Sequence, residues 1–259
     1  MVCSRRALRE QAPWFFIFAP QISTVMRTFY SGLWQPVYHL FFPRLCEACG
    51  DELLGNERFL CIRCWTALPE TGFQRQLANP AQLQFFGRVP VQQTACMYYF
   101  HTGSRLQQVM HAFKYRGGTE LGSELGRRFG HRLAEASWSA GADYLVPVPL
   151  SARKQKERGY NQSECLADGM AESLGVPVAP HAVRRVRHTS TQTHKTRQER
   201  LLNMRLAFEV AEPAQLEGRH LILVDDVLTT GATLEALALS ILSRCRAKIS
   251  IATLAYAIP

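Results

Sequence analysis

A chain of 259 residues, 47% apolar and 20% charged, can fill one core of roughly 150 residues plus a smaller module, and this composition excludes intrinsic disorder. Thirty Lys and Arg against 21 Asp and Glu give a formal net charge of +9. Eleven basic residues face five acidic ones between Ser151 and Arg205, so two thirds of the surplus lies in about a fifth of the chain. Such a cluster either attracts phosphates or nucleic acid or forms a solvated basic face.

Near the start, Arg5, Arg6 and Arg9 precede the apolar run Trp14–Phe18 in the manner of a signal peptide. Pro13, Pro20 and Gln21 interrupt that run, and no small-residue cleavage site follows it cleanly. The charge-free stretch Gln11–Met26 is shorter than the roughly 20 residues a spanning helix needs. Residues 1–26 therefore read as an N-terminal extension, with no stable membrane insertion and a cytoplasmic location expected.

Residues 27–70 read as a lead-in helix followed by a small cysteine module. Of eight cysteines, four fall in two tight pairs, Cys46/Cys49 and Cys61/Cys64, while Cys3, Cys96, Cys165 and Cys245 stand alone. Lone thiols beside paired ones suit a reducing compartment. The pair spacing is close to that of a structural Zn²⁺ site with four thiolates, which leaves no open position for a reacting water. Two disulfides or free thiols are the alternatives. The module has too little apolar content to form a core alone. Residues 71–90, with Gly72, Asn79, Pro80, Gly87 and Pro90, read as a linker.

Strand and helix patterns alternate over residues 91–259. Val91–Phe100 is strand-like. Leu106, Val109, Met110 and Phe113 mark an amphipathic helix that stops at Gly117-Gly118. A second helix is expected near Glu120–Ser137, a buried strand at Tyr144–Val148 and a helix over Asn161–Leu174. Short strands are expected at Val176–Ala179 and Ala182–Val186, and a helix over residues 194–204. The apolar strand Leu221–Val224, a helix from Ala232 to Cys245 and a last strand at Ile249–Ala255 complete the pattern. This alternation predicts an α/β fold with a parallel sheet covered on both faces and a ligand site at the carboxyl ends of its strands.

The most informative segment follows Leu221–Val224. Asp225 and Asp226 stand at the end of that strand, where they can accept hydrogen bonds from sugar hydroxyls. Thr229-Thr230-Gly231 then turns into a helix, whose free amides and dipole suit a phosphate dianion. Gly231 allows close backbone approach, and the threonine hydroxyls add donors. Acids for hydroxyls and amides for phosphate together read a ribose 5-phosphate. Farther upstream, Arg153, Lys154, Lys156 and Arg158 follow Pro149 without apolar periodicity. They read as a mobile basic loop that closes over a diphosphate. Equally, they read as part of a nucleic-acid track with Arg184, Arg185, Arg187, Lys195, Arg197 and Arg200. Asn161 and Gln162 open a helix and cap it or contact substrate.

Asp225–Thr233 resembles the motif of type I phosphoribosyltransferases that binds 5-phosphoribosyl 1-diphosphate (PRPP). Val146-Pro147-Val148-Pro149-Leu150-Ser151, Arg158-Gly159-Tyr160-Asn161-Gln162-Ser163, Thr191-Gln192, Arg200-Leu201-Leu202-Asn203 and His111–Gly117 look like the ComF family, including its GntX branch. The cysteine module resembles it too, and the likeness covers roughly residues 38–257.

The resemblance implies a type I phosphoribosyltransferase-like sheet flanked by helices, with an N-terminal four-cysteine zinc module. It implies a PRPP-binding protein of DNA uptake in natural competence, or of the use of DNA as a nutrient. Asp225 and Asp226 would engage the ribose hydroxyls as the catalytic pair, and Val227, Leu228, Thr229, Thr230, Gly231, Ala232 and Thr233 would form the PRPP loop. Val148, Pro149, Leu150 and Ser151 would face the diphosphate, bridged by Mg²⁺, with Arg153, Lys154 and Arg158 in the covering loop. Single-stranded DNA and other DNA-uptake proteins are the further partners implied. The alternatives are an active phosphoribosyltransferase of nucleotide salvage, whose acceptor no segment specifies, and a single-stranded-DNA-binding protein without turnover.

Overall fold

The computed structural model describes residues 43–115, 118–186 and 207–258, and its elements all belong to the unit Leu45–Pro259. Helix α1 (Ile62–Thr66) lies in the cysteine module, and α2 (Pro80–Leu83) follows a 3₁₀ turn at Phe73–Arg75. Strand β1 (Thr94–Phe100) leads to α3 (Arg105–Tyr115), α4 (Thr119–Glu135) and β2 (Tyr144–Pro147). Next come α5 (Ala152–Arg158), α6 (Gln162–Leu174), β3 (Val183–Arg185), β4 (Phe208–Val210) and α7 (Pro213–Leu216). The chain ends with β5 (His220–Leu228), α8 (Ala232–Leu242) and β6 (Lys248–Ala257).

Strands β1, β6, β5 and β2 form one parallel sheet in that order, with β5 and β6 central. The expected strand at Val176–Ala179 reduces to a parallel bridge between Val178 and Leu145 at the β2 edge. Strands β3 and β4 form a separate antiparallel pair. The β4 partner carries only one buried residue, Phe208, and so leaves no clear alternation to read. The helix expected over residues 194–204 lies outside the described residues.

Alternation along β5 explains the two-sided core. Ile222 and Val224 join the face covered by α3, α4 and α6, whereas Leu221 and Leu223 join the face covered by α8. A sheet buried on both sides needs such a continuous apolar run. On the first face, Cys46, Leu53, Leu60, Cys61, Cys64 and Leu68 share one cluster with Phe113, Phe129 and Leu133. The cysteine module thus completes its core by leaning on the sheet domain.

Residues 71–90, expected as a linker, are part of the second face: Phe73, Ala81, Phe85 and Val89 are buried there. The Asn79-Pro80 pair is a helix start rather than a loop signal. The Asn79 side chain accepts from the Gln82 amide at 2.9 Å and donates to the Thr94 carbonyl at 2.8 Å, with Pro80 in the first turn. Residues 152–158, expected within a mobile basic loop, are helical. The basic stretch forms α5, capped by Ser151 and stopped by Gly159 at φ +80°. None of its side chains is buried, so hydrophobic periodicity was silent and only the caps marked it.

Helices α4 and α6 approach closely because glycines replace side chains where they meet. A Cβ at Gly126 would lie 2.2 Å from the Leu166 carbonyl oxygen, and one at Gly169 would lie 2.0 Å from the Ser123 oxygen. Both clashes are with backbone, which cannot move aside cheaply. Alanine normally favours a helix by about 1 kcal/mol over glycine. Here overpacking outweighs that gain, and Gly126→Ala is expected to lower stability by about 1–3 kcal/mol in urea denaturation. A neutral or stabilising effect would show that the two helices slide apart freely.

Candidate functional site

The site lies at the carboxyl edge of the sheet, where β2 ends beside the middle of β5. Pro147 pairs with Val224, and the Val148 amide donates to the Val224 carbonyl at 2.9 Å. This bond sets Val148–Ser151 next to Asp225 and Asp226. Strand β5 runs on through both acids to Leu228, beyond the expected end at Val224. Thr229 and Thr230 are exposed, Gly231 is buried at φ +73°, and α8 begins at Ala232. No side chain caps α8, so its first-turn amides keep their capacity for an anion.

The two acids are held from the α3/α6 face. Asp225 Oδ1 accepts from Ser163 Oγ at 3.0 Å and from the Asp226 amide at 2.9 Å. Asp226 Oδ2 forms an ion pair with Lys114 Nζ at 2.8 Å, with both side chains about four-fifths buried. Burial, then the adjacent Asp226 charge, pushes the Asp225 carboxyl up to about 7, against the hydrogen bonds from Asp226 and Ser163.

The segment Arg158–Ser163 acts as a clamp among three elements. Arg158 donates to Gln162 Oε1 at 2.7 Å and lies over the Tyr115 ring, 5.7 Å from its centroid. The Tyr160 hydroxyl donates to the Phe113 carbonyl at the end of α3. Asn161 caps α6 by accepting from the Ser163 amide at 3.2 Å, and it donates to the Val148 carbonyl at 3.2 Å. One short motif thereby ties β2's loop, β5's acids and α3 together.

The other side of the loop is held by residues 84–88. Arg88 donates to the Thr230 carbonyl at 3.1 Å and to the Gln84 carbonyl at 2.9 Å, and it pairs with Glu235 in α8's first turn. The Phe85 ring would meet a Cβ at Gly231 at 3.0 Å. Gly231 is thus required twice, by its positive φ and by this contact. Sequence reasoning missed Arg88, Phe85 and Lys114 as site residues. Lys114 was legible in one respect: it stands four residues after Met110, so it extends the buried stripe of α3 with a charge.

Among the other expected residues, Arg153, Lys154 and Lys156 are exposed on α5. Arg184 is held by Glu209 through two hydrogen bonds of 3.0 and 2.9 Å, and Arg185 lies over the Phe208 ring. The structure thus satisfies Arg184 within the antiparallel pair. Arg187, Lys195, Arg197 and Arg200 lie outside the described residues.

The sulfur atoms of Cys46, Cys49, Cys61 and Cys64 all lie within 4.8 Å of one another, and the Cys49 and Cys61 sulfurs are 3.8 Å apart. A disulfide needs sulfurs about 2 Å apart, whereas thiolates around a tetrahedral Zn²⁺ at about 2.3 Å stand about 3.8 Å apart. The Cys61 amide donates to Cys46 Sγ at 3.3 Å, and Gly50 makes the turn at φ +78°. Burial of Cys46 is outweighed by amide donors from Cys61, Cys49 and Ala48, and its thiol falls to about 7. The group can hold a metal ion such as zinc.

Comparison with known proteins agrees with this architecture. A family profile described as the phosphoribosyl transferase domain matches residues 161–258. The sheet and the matched region define a phosphoribosyltransferase-type domain. The chain is 34% identical over 149 residues to the DNA utilization protein YhgH of Salmonella typhi, covering 56% of this chain and 65% of that one. It is 40% identical over 91 residues to competence protein F of Haemophilus influenzae, covering 35% and 40%. Identity to the competence protein ComFC of Bacillus subtilis is 32% over 142 residues, covering 55% of each. The chain therefore spans just under two thirds of the first of these relatives. Among the described residues no helix is long and apolar enough to cross a membrane.

The Asp225 shift has a testable sign. An unfolded Asp titrates near 3.9. Between about 4 and 7 the folded chain therefore keeps a proton that the unfolded chain has released, and stability falls as pH rises through that window. Asp225→Asn retains an acceptor for Ser163 and the Asp226 amide but cannot ionise. It is expected to melt above the parent at pH 8, with the gap closing below about pH 4. A gap that does not vary with pH in thermal melts would rule out the shift.

Proposed function

We propose that the chain binds PRPP at the carboxyl edge of β5 and β2 and serves DNA uptake or the utilisation of DNA. One observation carries the reading: two held carboxylates, an uncapped helix start and the β2 loop converge on one edge within a few residues. In this reading Asp225 and Asp226 accept from the ribose hydroxyls. The amides of residues 230–233, with the hydroxyls of Thr229, Thr230 and Thr233, hold the 5-phosphate. Val148–Ser151 faces the diphosphate, with Arg158 beside it.

If a nitrogenous acceptor attacks C1, a carbon–nitrogen bond forms as the bond from C1 to the diphosphate oxygen breaks. The diphosphate leaves with the electron pair, the proton displaced from the acceptor nitrogen passes to solvent or to the departing diphosphate, and the sugar carries oxocarbenium character between the two. Protein donors and carboxylates placed in advance stabilise that charge separation. Asp226 is already paired and Asp225 accepts two hydrogen bonds, so Mg²⁺ would be held largely through oxygens of PRPP itself. It would neutralise leaving-group charge. The four cysteines would hold a structural zinc ion, cross-linking a module with little core of its own.

Calorimetry with PRPP and Mg²⁺ tests the site. Wild type is expected to bind saturably, with ribose 5-phosphate competing. Asp226→Asn and Thr230→Val are each expected to weaken binding about tenfold or more, through loss of charge-assisted or phosphate hydrogen bonds. Folded wild-type protein that fails to bind PRPP would defeat the reading. Diphosphate release across a panel of nitrogenous bases would show turnover at the same site. For the module, elemental analysis after purification without chelator is expected to find about one zinc per chain, lost in Cys64→Ala together with thermal stability. A fully folded metal-free module would contradict it.

A further inference from the structure

The ion pair between Lys114 and Asp226 asks for more explanation than charge cancellation. It links α3, which lies outside the matched residues 161–258, to the acid pair of the central strand. Its geometry is enforced rather than incidental. Around Lys114, the Phe113 carbonyl accepts from the Tyr160 hydroxyl, and Tyr115 packs beneath Arg158. Three consecutive residues at the end of α3 are thus fastened to the site, each by a different interaction.

A lysine ammonium carries three donors, of which the 2.8 Å contact with Asp226 uses one. With its side chain 22% exposed, Lys114 is desolvated enough to be costly without an anion yet still open to a ligand. The other cations expected near a diphosphate are differently placed. Arg158 is engaged by Gln162 and Tyr115, and Arg153 and Lys154 stand exposed on α5. Among the described residues Lys114 is the cation paired with the acids, where a ribose bound by Asp225 and Asp226 would bring its C1 substituent.

Building on the PRPP reading above, we propose that Lys114 is a further ligand-binding residue of this site. Asp226 holds its ammonium in place to meet the anionic group on C1 of a ribose ester. The ligand class is therefore a ribose phosphate with a second anion at C1, and Lys114 discriminates it from a plain ribose 5-phosphate.

Two ligands and three proteins test this. Calorimetry with Mg²⁺ would compare PRPP and ribose 5-phosphate on wild type, Lys114→Met and Lys114→Arg, with thermal melts to confirm folding. Lys114→Met is expected to weaken PRPP about tenfold or more while changing ribose 5-phosphate by no more than about threefold. Lys114→Arg, which keeps the charge, is expected to restore most of the PRPP preference. If Lys114 only cancels the Asp226 charge, its removal weakens both ligands alike, and that result overturns the proposal. An unchanged PRPP affinity in Lys114→Met overturns it as well and leaves the PRPP reading standing. Should Lys114→Met fail to fold, Lys114→Gln serves in its place by the same criteria. Wild type that binds ribose 5-phosphate but shows no preference for PRPP overturns the role of Lys114 alone. Wild type that binds neither defeats both readings.

Discussion

A carboxylate buried at the end of a central strand, with a second carboxylate next in sequence, is the constraint around which this molecule is organised. Burial disfavours the charge on Asp225, and Asp226 disfavours it further. Such a pair persists only where other elements supply donors and a counter-charge. Ser163 from α6 and Lys114 from α3 do so, and each must arrive within hydrogen-bonding distance. The packing of those two helices is thereby tied to the chemistry of the strand.

The precision of α6 begins some distance from the acids. Gly126 and Gly169 let α4 and α6 approach with no side chain between their backbones, which limits how far α6 can shift. At its start, Asn161 and Ser163 engage Val148 and Asp225. A close helix–helix contact in the core therefore sets the position of two polar groups at the sheet edge. On the other side, Arg88 and Phe85 hold the loop from Thr230 to Glu235, so a phosphate would meet a backbone already fixed in place.

The cysteine module is joined to this scaffold by shared burial rather than by a tether. Cys46, Leu60 and Cys64 lie in one apolar cluster with Phe129 and Leu133 of α4. Ordering the four sulfurs around a metal would thus also order the outer surface of α4, the helix whose inner side packs on α6.

The sequence alone determined the alternating pattern, the central strand, the acid pair with its following turn, and the paired cysteines. Each of these is a local signal, carried by apolar runs, caps and short spacings along the chain. Strand β4 was illegible because three residues with one buried position establish no period. Helix α5 was misread because it has no buried face, and its Ser151 cap and Gly159 stop were the only marks it left. Residues 71–90 looked like a linker because Asn79-Pro80 marks a turn and a helix start equally well. Only contact with β1 and the Thr230-Gly231 turn decided between them. The partners of the acids were beyond any local reading. Lys114 lies 112 positions before Asp226, and Arg88 lies 142 before Thr230. An ion pair or a hydrogen bond depends on distance in space, and the folding of the parallel sheet is what brought those side chains together.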